Sequence, residues 1–347
     1  MSLGERKSRI LQAIVQDYVQ TTKPVGSERL IELHTLGCKS ATVRNEMAEL
    51  TEQGYIVQPH TSAGRIPTDQ GYRYYVDSLM PPVSLESEEE QSIHNLRRNA
   101  LNEIDAILLN TCRILSSLTS CLSVASDPIT ETTRLHHVLI TQAVARNVLL
   151  VVLFSTGQVE HRLVELTTMP DETMLIHLTN FLNSVAANQE LSEVARRLTI
   201  LETPNELQPF ADTLGRIVGV LNLVVANSLE QRRLYLEGSQ QILRQPEFHD
   251  VTRLKMLFHA LEQKNQFYKM LQQVWKDDTV AVIIGRENNY ESLHECSVIT
   301  AIYHIGDRPA GFLGVVGPTR INYEKATVAV EFMANHLSQS LTYLSQM

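Results

Sequence analysis

Between Lys39 and Tyr75 the chain reads KSATVRNEMAELTEQGYIVQPHTSAGRIPTDQGYRYY, an order of signals that few folds accommodate. Val43, Met47 and Leu50 recur at i, i+4 and i+7 and predict the buried stripe of a short helix. Ser40 is placed to cap its first turn by accepting a free backbone N–H. Gly54 is placed to end it, as glycine ends many helices. At about 100° per residue, Ala41, Asn45 and Ala48 point away from the stripe, with Thr42 and Arg44 on the flanks. Two alanines on that outer face leave room for the helix to sit close to the floor of a groove. Tyr55–Gln58 and Arg65–Pro67 then predict two strands of a hairpin tipped by Thr61-Ser62-Ala63-Gly64.

Upstream, Ile10, Leu11, Ile14, Val15 and Tyr18 give residues 3–20 the wide apolar face of a first helix. Lys23-Pro24-Val25-Gly26 breaks it, Ser27 is placed to cap a second helix through about Leu33, and Thr35–Lys39 is a short turn. Helix, helix, turn, helix, hairpin is the order of a winged helix-turn-helix. That order suits a DNA reader, because a major groove admits one α-helix while its flanks offer phosphates. Asn45 can pair bidentately with adenine and Arg44 with guanine or phosphate, while Ala41 and Thr42 suit thymine methyl groups. His60 and Arg65 sit where a wing reaches the sugar-phosphate backbone or minor groove. Lys23, Ser27 and Lys39 are candidate phosphate anchors, and Ser40, Ala48 and Ser62 complete the predicted DNA-facing set. Glu49 and Glu52 lie late in the helix, where they can point away from a duplex. For an isolated helix, such a face is more often ordinary solvated surface; the preceding helix and the hairpin tip the balance.

Charge permits this reading without urging it. The chain carries a formal −9, yet residues 1–80 hold nine Lys+Arg against nine Asp+Glu, and the other 21 against 30 carry all of it. DNA binding must then depend on where basic groups are placed, since no general field supplies it. The length of 347 residues exceeds one hydrophobic core and predicts two or three domains. No apolar run reaches the roughly 18 residues of a membrane span. The run around Ile217–Val225 reads as a buried helix or a subunit contact, too short for a membrane. The N-terminus lacks an apolar signal core, so a cytoplasmic location is expected. Cys38, Cys112, Cys121 and Cys296 lie far apart and read as reduced core thiols.

No nucleophile elbow, phosphate loop or His-Glu-x-x-His occurs, and neither an enzyme, a cofactor nor a metal is expected. Gly311-x-x-Gly314-x-x-Gly317 misses the dinucleotide spacing and lies on a predicted strand, where close backbone packing explains it more simply. His136 and His137 alternate across a strand, so only one faces any given site. A helix capped by Thr68-Asp69 runs to Leu79, and Met80–Val83 is the best linker. The acidic run Glu86–Glu90 opens a long helix to about Val124. A meander follows at Leu135–Thr141, Val148–Ser155 and Gln158–Leu166, then helical pattern from Asp171 to about Glu237 and from Asp250 to Trp275. Strands at Thr279–Ile284, Cys296–Ile305 and Ala310–Val316 precede a closing helix to Leu344. Antiparallel strands bracketed by helices predict a multidomain α+β protein.

KPVGSERL at 23–30, SATVRNEMAELTEQGYI at 40–56, HTSAGRIPTDQGYRYYVD at 60–77, YLEGSQQIL at 235–243, QPEF at 245–248 and GFLGVVGPTRINYEKA at 311–326 closely resemble HrcA, the heat-inducible transcription repressor family of bacteria. The resemblance covers nearly the whole chain. It implies a winged-helix domain (1–80), a GAF-like domain in two parts (86–130 and 233–347) and an inserted dimerisation domain (131–232). It also implies a homodimer on double-stranded DNA at CIRCE, an inverted repeat ahead of chaperonin and other heat-shock operons. The GroE chaperonin would keep the repressor active, and heat would inactivate it. The rival is a metabolite-sensing regulator with a ligand in the GAF-like domain.

Overall fold

The computed structural model describes residues 3–35, 39–61, 63–82, 104–128, 133–230, 233–273 and 280–345. Its first part is a small helical head: α1 (Glu5–Thr21), α2 (Ser27–Leu33), α3 (Ser40–Glu52), β1 (Ile56–Val57), β2 (Ile66–Pro67) and α4 (Asp69–Tyr74), which continues as a π-turn through Leu79. Ile10, Leu11 and Ile14 from α1 meet Leu30, Val43, Met47, Leu50 and Ile56 in its core. The stripe on α3 is therefore buried as its spacing requires. At its end, Gly54 takes φ +81. The N–H groups of Gly54 and Tyr55 donate to Thr51 and Leu50 carbonyls at 3.0 Å each, the double bond of a Schellman stop.

Both predicted serine caps are displaced by one position. Gly26 and Lys39 occupy the cap sites of α2 and α3, and neither makes a side-chain cap bond. Ser27 and Ser40 are first helical residues, and their hydroxyls meet each other at 3.4 Å. Thr68 does cap α4, its Oγ1 accepting from the Gly71 N–H at 3.1 Å. The hairpin ladder is only two residues a side, Ile56 opposite Pro67 and Val57 opposite Ile66. An isolated bridge between Val25 and Arg65 extends it toward the start of α2. Gly64 makes that bridge possible, since a Cβ there would lie 2.4 Å from the Val25 carbonyl oxygen.

The body begins with α5 (Ile104–Thr119) and β3 (Leu122–Ser126). The predicted single helix to Val124 thus breaks at Ser120, which turns the chain with φ 54. Its predicted start at Glu86–Glu90 lies outside the described residues. An inserted unit follows: β4 (Arg134–Gln142), β5 (Asn147–Phe154), β6 (Val159–Glu165), α6 (Glu172–Ala186), β7 (Gln189–Glu190), α7 (Leu191–Thr199) and α8 (Ala211–Glu230). Its sheet runs β6-β5-β4-β7, with the helices on one face. The chain then forms β8 (Leu234–Glu237), α9 (Ser239–Leu243), α10 (Val251–Glu262), α11 (Lys264–Gln273), β9 (Ala281–Ile284), β10 (Cys296–Ile305), β11 (Arg308–Pro318) and α12 (Tyr323–Ser345). Residues 234–237, predicted helical, are an edge strand.

These strands build an antiparallel sheet in the order β8-β3-β11-β10-β9. Alternation along β11 serves two cores: Leu313 and Val315 face α5 and α12, while Phe312 and Val316 face α10 and α11. The three glycines of β11 pack as expected of close backbone approach. Added Cβ atoms would fall 2.4 Å from Ser126 Oγ at Gly311, 2.4 Å from the Ile299 carbonyl at Gly314 and 2.5 Å from Ile321 at Gly317. Burial pushes the thiols of Cys112, Cys121 and Cys296 up to about 12, leaving them inert core groups. Cys38 lies outside the described residues.

Two further expectations change. A register shift between Leu135 and His137 breaks the alternation, so His136 and His137 are both exposed. The apolar stretch also sits on a longer helical segment than the sequence suggested: Asn205–Leu229, a 3-10 turn continuing into α8, is 25 residues, long and apolar enough on average to pass for a membrane span by length and composition alone. One face of α8 nevertheless carries Leu214, Ile217, Leu221, Val224 and Val225 into the insert's core, which is how a core helix packs.

Candidate nucleic-acid interface

Helix α3 divides cleanly. Val43, Met47 and Leu50 are 0, 4 and 0% exposed, while Ala41, Arg44, Asn45 and Ala48 are exposed on the other side. Ser40 and Thr42 are half-buried at the margin. Lys23, Lys39 and His60 are exposed, Ser27 is half-buried, and Ser62 lies outside the described residues. Lys39 sits at the N-terminal cap position of α3. The bridge from Val25 to Arg65 draws the Lys23 segment to the base of the hairpin, a convergence that spacing alone did not announce.

Arg65 departs from a freely extended wing residue. Its backbone is bonded both ways to Val25 at 2.8 Å, and its Nε donates to Thr51 Oγ1 on α3 at 3.2 Å. It braces the hairpin against the helix. Two residues that the sequence reading passed over shape the same region. Thr51 receives Arg65, and the Gln58 amide donates to the Thr61 and Ala63 carbonyls at 2.9 and 3.0 Å, closing the hairpin tip. A polar amide beside a Ser-Ala-Gly tip was the available signal for Gln58; Thr51 had none, since its role depends on where the hairpin folds.

Ion pairs sort the head's charges. Glu46 and Glu49 turn to α1, where Arg6 reaches Glu46 at 3.5 Å and Lys7 reaches Glu49 at 2.6 Å. That bond to Glu49 raises the Lys7 pKa. The Arg29 guanidinium grips buried Asp17 through two bonds of 2.6 and 2.8 Å, tying α2 to α1. Arg44 approaches Glu28 only at 3.9 Å with both side chains exposed, an ion pair of little energetic weight. Lys23 and Lys39 make no ion pair among the described residues. Glu46 and Glu49 are thus answered from behind, while Glu52 is exposed at the end of α3 and makes no ion pair among the described residues.

The head is braced on the body. Arg73 donates to Glu287 at 2.5 and 2.8 Å and to the Val282 carbonyl at 2.6 Å, and the Glu287 carboxylate holds its pKa above the usual range. The Arg286 N–H donates to Asp69 at 2.9 Å, and the Tyr72 and Tyr323 rings meet at 5.6 Å. Among the described residues no group of three or more His, Cys, Asp or Glu could hold a metal.

A compact helical head with one outward helix face, mounted on an α+β body, is the build of a DNA-binding regulator. The comparisons agree. The family described as "HrcA protein C terminal domain" matches residues 105–327. Heat-inducible transcription repressor HrcA of Desulforamulus reducens is 36% identical over 342 residues, covering 98% of both chains. That of Brevibacillus brevis is 36% identical over 342 residues with the same coverage. A crystal structure of a hypothetical protein shares the fold, with a TM-score of 0.70 at 22% identity, over 99% of this chain and 100% of that one. The chain belongs to the HrcA family. It is a heat-inducible transcription repressor, a regulator of heat-shock genes, and not an enzyme.

Proposed function

We propose that residues 1–80 form a winged helix-turn-helix that inserts α3 into the major groove of an inverted repeat, CIRCE, as one half of a homodimer. The observation that carries this reading is the split of α3, whose apolar side is wholly buried while Ala41, Arg44, Asn45 and Ala48 face outward. Residues 86–130 with 233–347 form the GAF-like body, and 131–232 the dimerisation insert. Two-fold pairing of heads matches the two-fold symmetry of the repeat. Anisotropy titration against a duplex bearing the repeat tests it. Affinity should exceed that for a scrambled duplex by roughly a thousandfold or more; equal affinities would overturn it.

The dimer contact we infer is the uncovered face of the insert's sheet. The pairings align His137, Leu153 and Val159 in one row, Leu139, Val151 and His161 in the next, and Thr141, Leu149 and Leu163 in a third. Leu139, Val159 and Leu163 are 47, 52 and 64% exposed in the single chain. Contiguous apolar surface of this kind is characteristic of interfaces.

Arg65→Ala should weaken specific and non-specific DNA binding alike and reduce the salt slope by about one per subunit, about two for the dimer. Thr51→Val, which removes the brace and a hydroxyl bond to the Met47 carbonyl within α3 but no charge, should leave that slope unchanged. An unaltered slope in the arginine variant would remove Arg65 from the phosphate contacts.

Heat enters through marginal stability. We propose that warming unfolds the repressor, that GroE returns it to the active form, and that unfolded clients competing for GroE then raise transcription. A dimer's stability depends on its concentration. Purified protein without chaperonin should lose operator binding over a narrow temperature range that rises with protein concentration. Affinity that stays flat across that range would contradict heat lability.

A further inference from the structure

The seam between head and body is incompletely filled. Val15 and Val19 of α1, Leu33 at the end of α2, Tyr75, and Ile321 and Tyr323 at the start of α12 wall a cleft of about 400 Å³. That is the size of a small-molecule site. Two carboxylates line it, and they are in different states. Asp17 is neutralised by Arg29, as described above. Glu324 is half-buried and accepts from the Tyr75 hydroxyl and, at 3.3 Å, from the Gln16 amide, both neutral donors. It makes no ion pair among the described residues, and no lysine or arginine lines the cleft.

An anion entering this space would meet the Glu324 carboxylate with no ammonium or guanidinium in the lining to answer it, the His34 imidazole being the one basic side chain among the described lining residues. A cation would meet a carboxylate that can form a charge-assisted bond. Tyr75 and Tyr323 stand in the same wall, aromatic side chains of the kind that attract positive charge, beside aliphatic residues that suit a short alkyl chain. We propose that this cleft binds a small organic cation, an alkylamine or alkylguanidine. Such a ligand touches α1 and α2 of the head and α12 of the body at once. It therefore favours whichever head angle it binds more tightly, by its difference in affinity for the two. Any consequence for DNA binding rests on the reading of the head given above; occupancy of the cleft does not.

The test uses the full chain and calorimetric titration at physiological salt, with 1,4-diaminobutane and butylguanidine as probes and 1,4-butanediol and succinate as neutral and anionic controls. The expected result is saturable binding of one equivalent of at least one cation and none of either control. Glu324→Gln should weaken that binding at least tenfold. Gln20→Lys places a fixed ammonium at the cleft from an exposed position and should weaken it comparably. If Glu324→Gln melts early, the Gln20→Lys result decides. No saturable binding of either cation, or binding unchanged in a folded Glu324→Gln or in Gln20→Lys, overturns the proposal.

Discussion

Arg44→Ala and Asn45→Ala are each expected to weaken operator binding sharply while leaving fold and dimer intact. A good bidentate contact to a base is worth roughly 1–3 kcal/mol, and a two-fold dimer makes each contact twice, so the loss should approach roughly 2–6 kcal/mol. The structure explains why stability should not move with it. Both side chains are exposed, and the 3.9 Å approach of Arg44 to Glu28 is the one ion pair given up among the described residues. Alanine is also the best helix former, so α3 should not fray. Gel-shift titration alongside a thermal melt separates the two effects. Unchanged affinity in both variants, with normal melts, would remove this face of α3 from the DNA contact.

Leu139→Asp combined with Leu163→Asp should break the dimer. Both side chains lie on the open face of the insert's sheet, on strands either side of β5. The insert's own core is on the opposite face, where Val138, Leu150 and Val164 are buried, so the fold of each subunit should survive. Anchor residues of an interface typically contribute roughly 2 kcal/mol or more each. Two copies of even one such change shift the dissociation constant by about a thousandfold. Sedimentation should show monomers at concentrations where the parent is dimeric, and operator affinity should fall because one head alone reads half the repeat. A variant that remains dimeric would place the interface elsewhere.

How far the sequence could be read depended on how many positions each element offered to a period. Strand β10 was legible to the residue, and α2, α3 and α12 to within a residue or so. The shorter strands were not. LSVAS at 122–126 is buried along its whole length, so it shows no alternation and reads as the tail of α5. LYLE at 234–237 is too short to separate from a helical run. Both lie beside β11 or one strand away, so missing them hid the five-stranded sheet and left only its C-terminal half visible. The outward face of α3 was legible because a helical period fixes both sides at once. The brace from Arg65 to Thr51 and the bridge from Val25 were not, since both arise only when the hairpin folds back.

Footprinting on genomic fragments ahead of chaperonin genes decides whether two copies of α3 enter duplex DNA together. The account predicts protection of an inverted repeat, in two symmetric blocks separated by a whole number of helical turns, abolished together by Asn45→Ala. Protection of a single block, or of sequence with no two-fold symmetry, would contradict it.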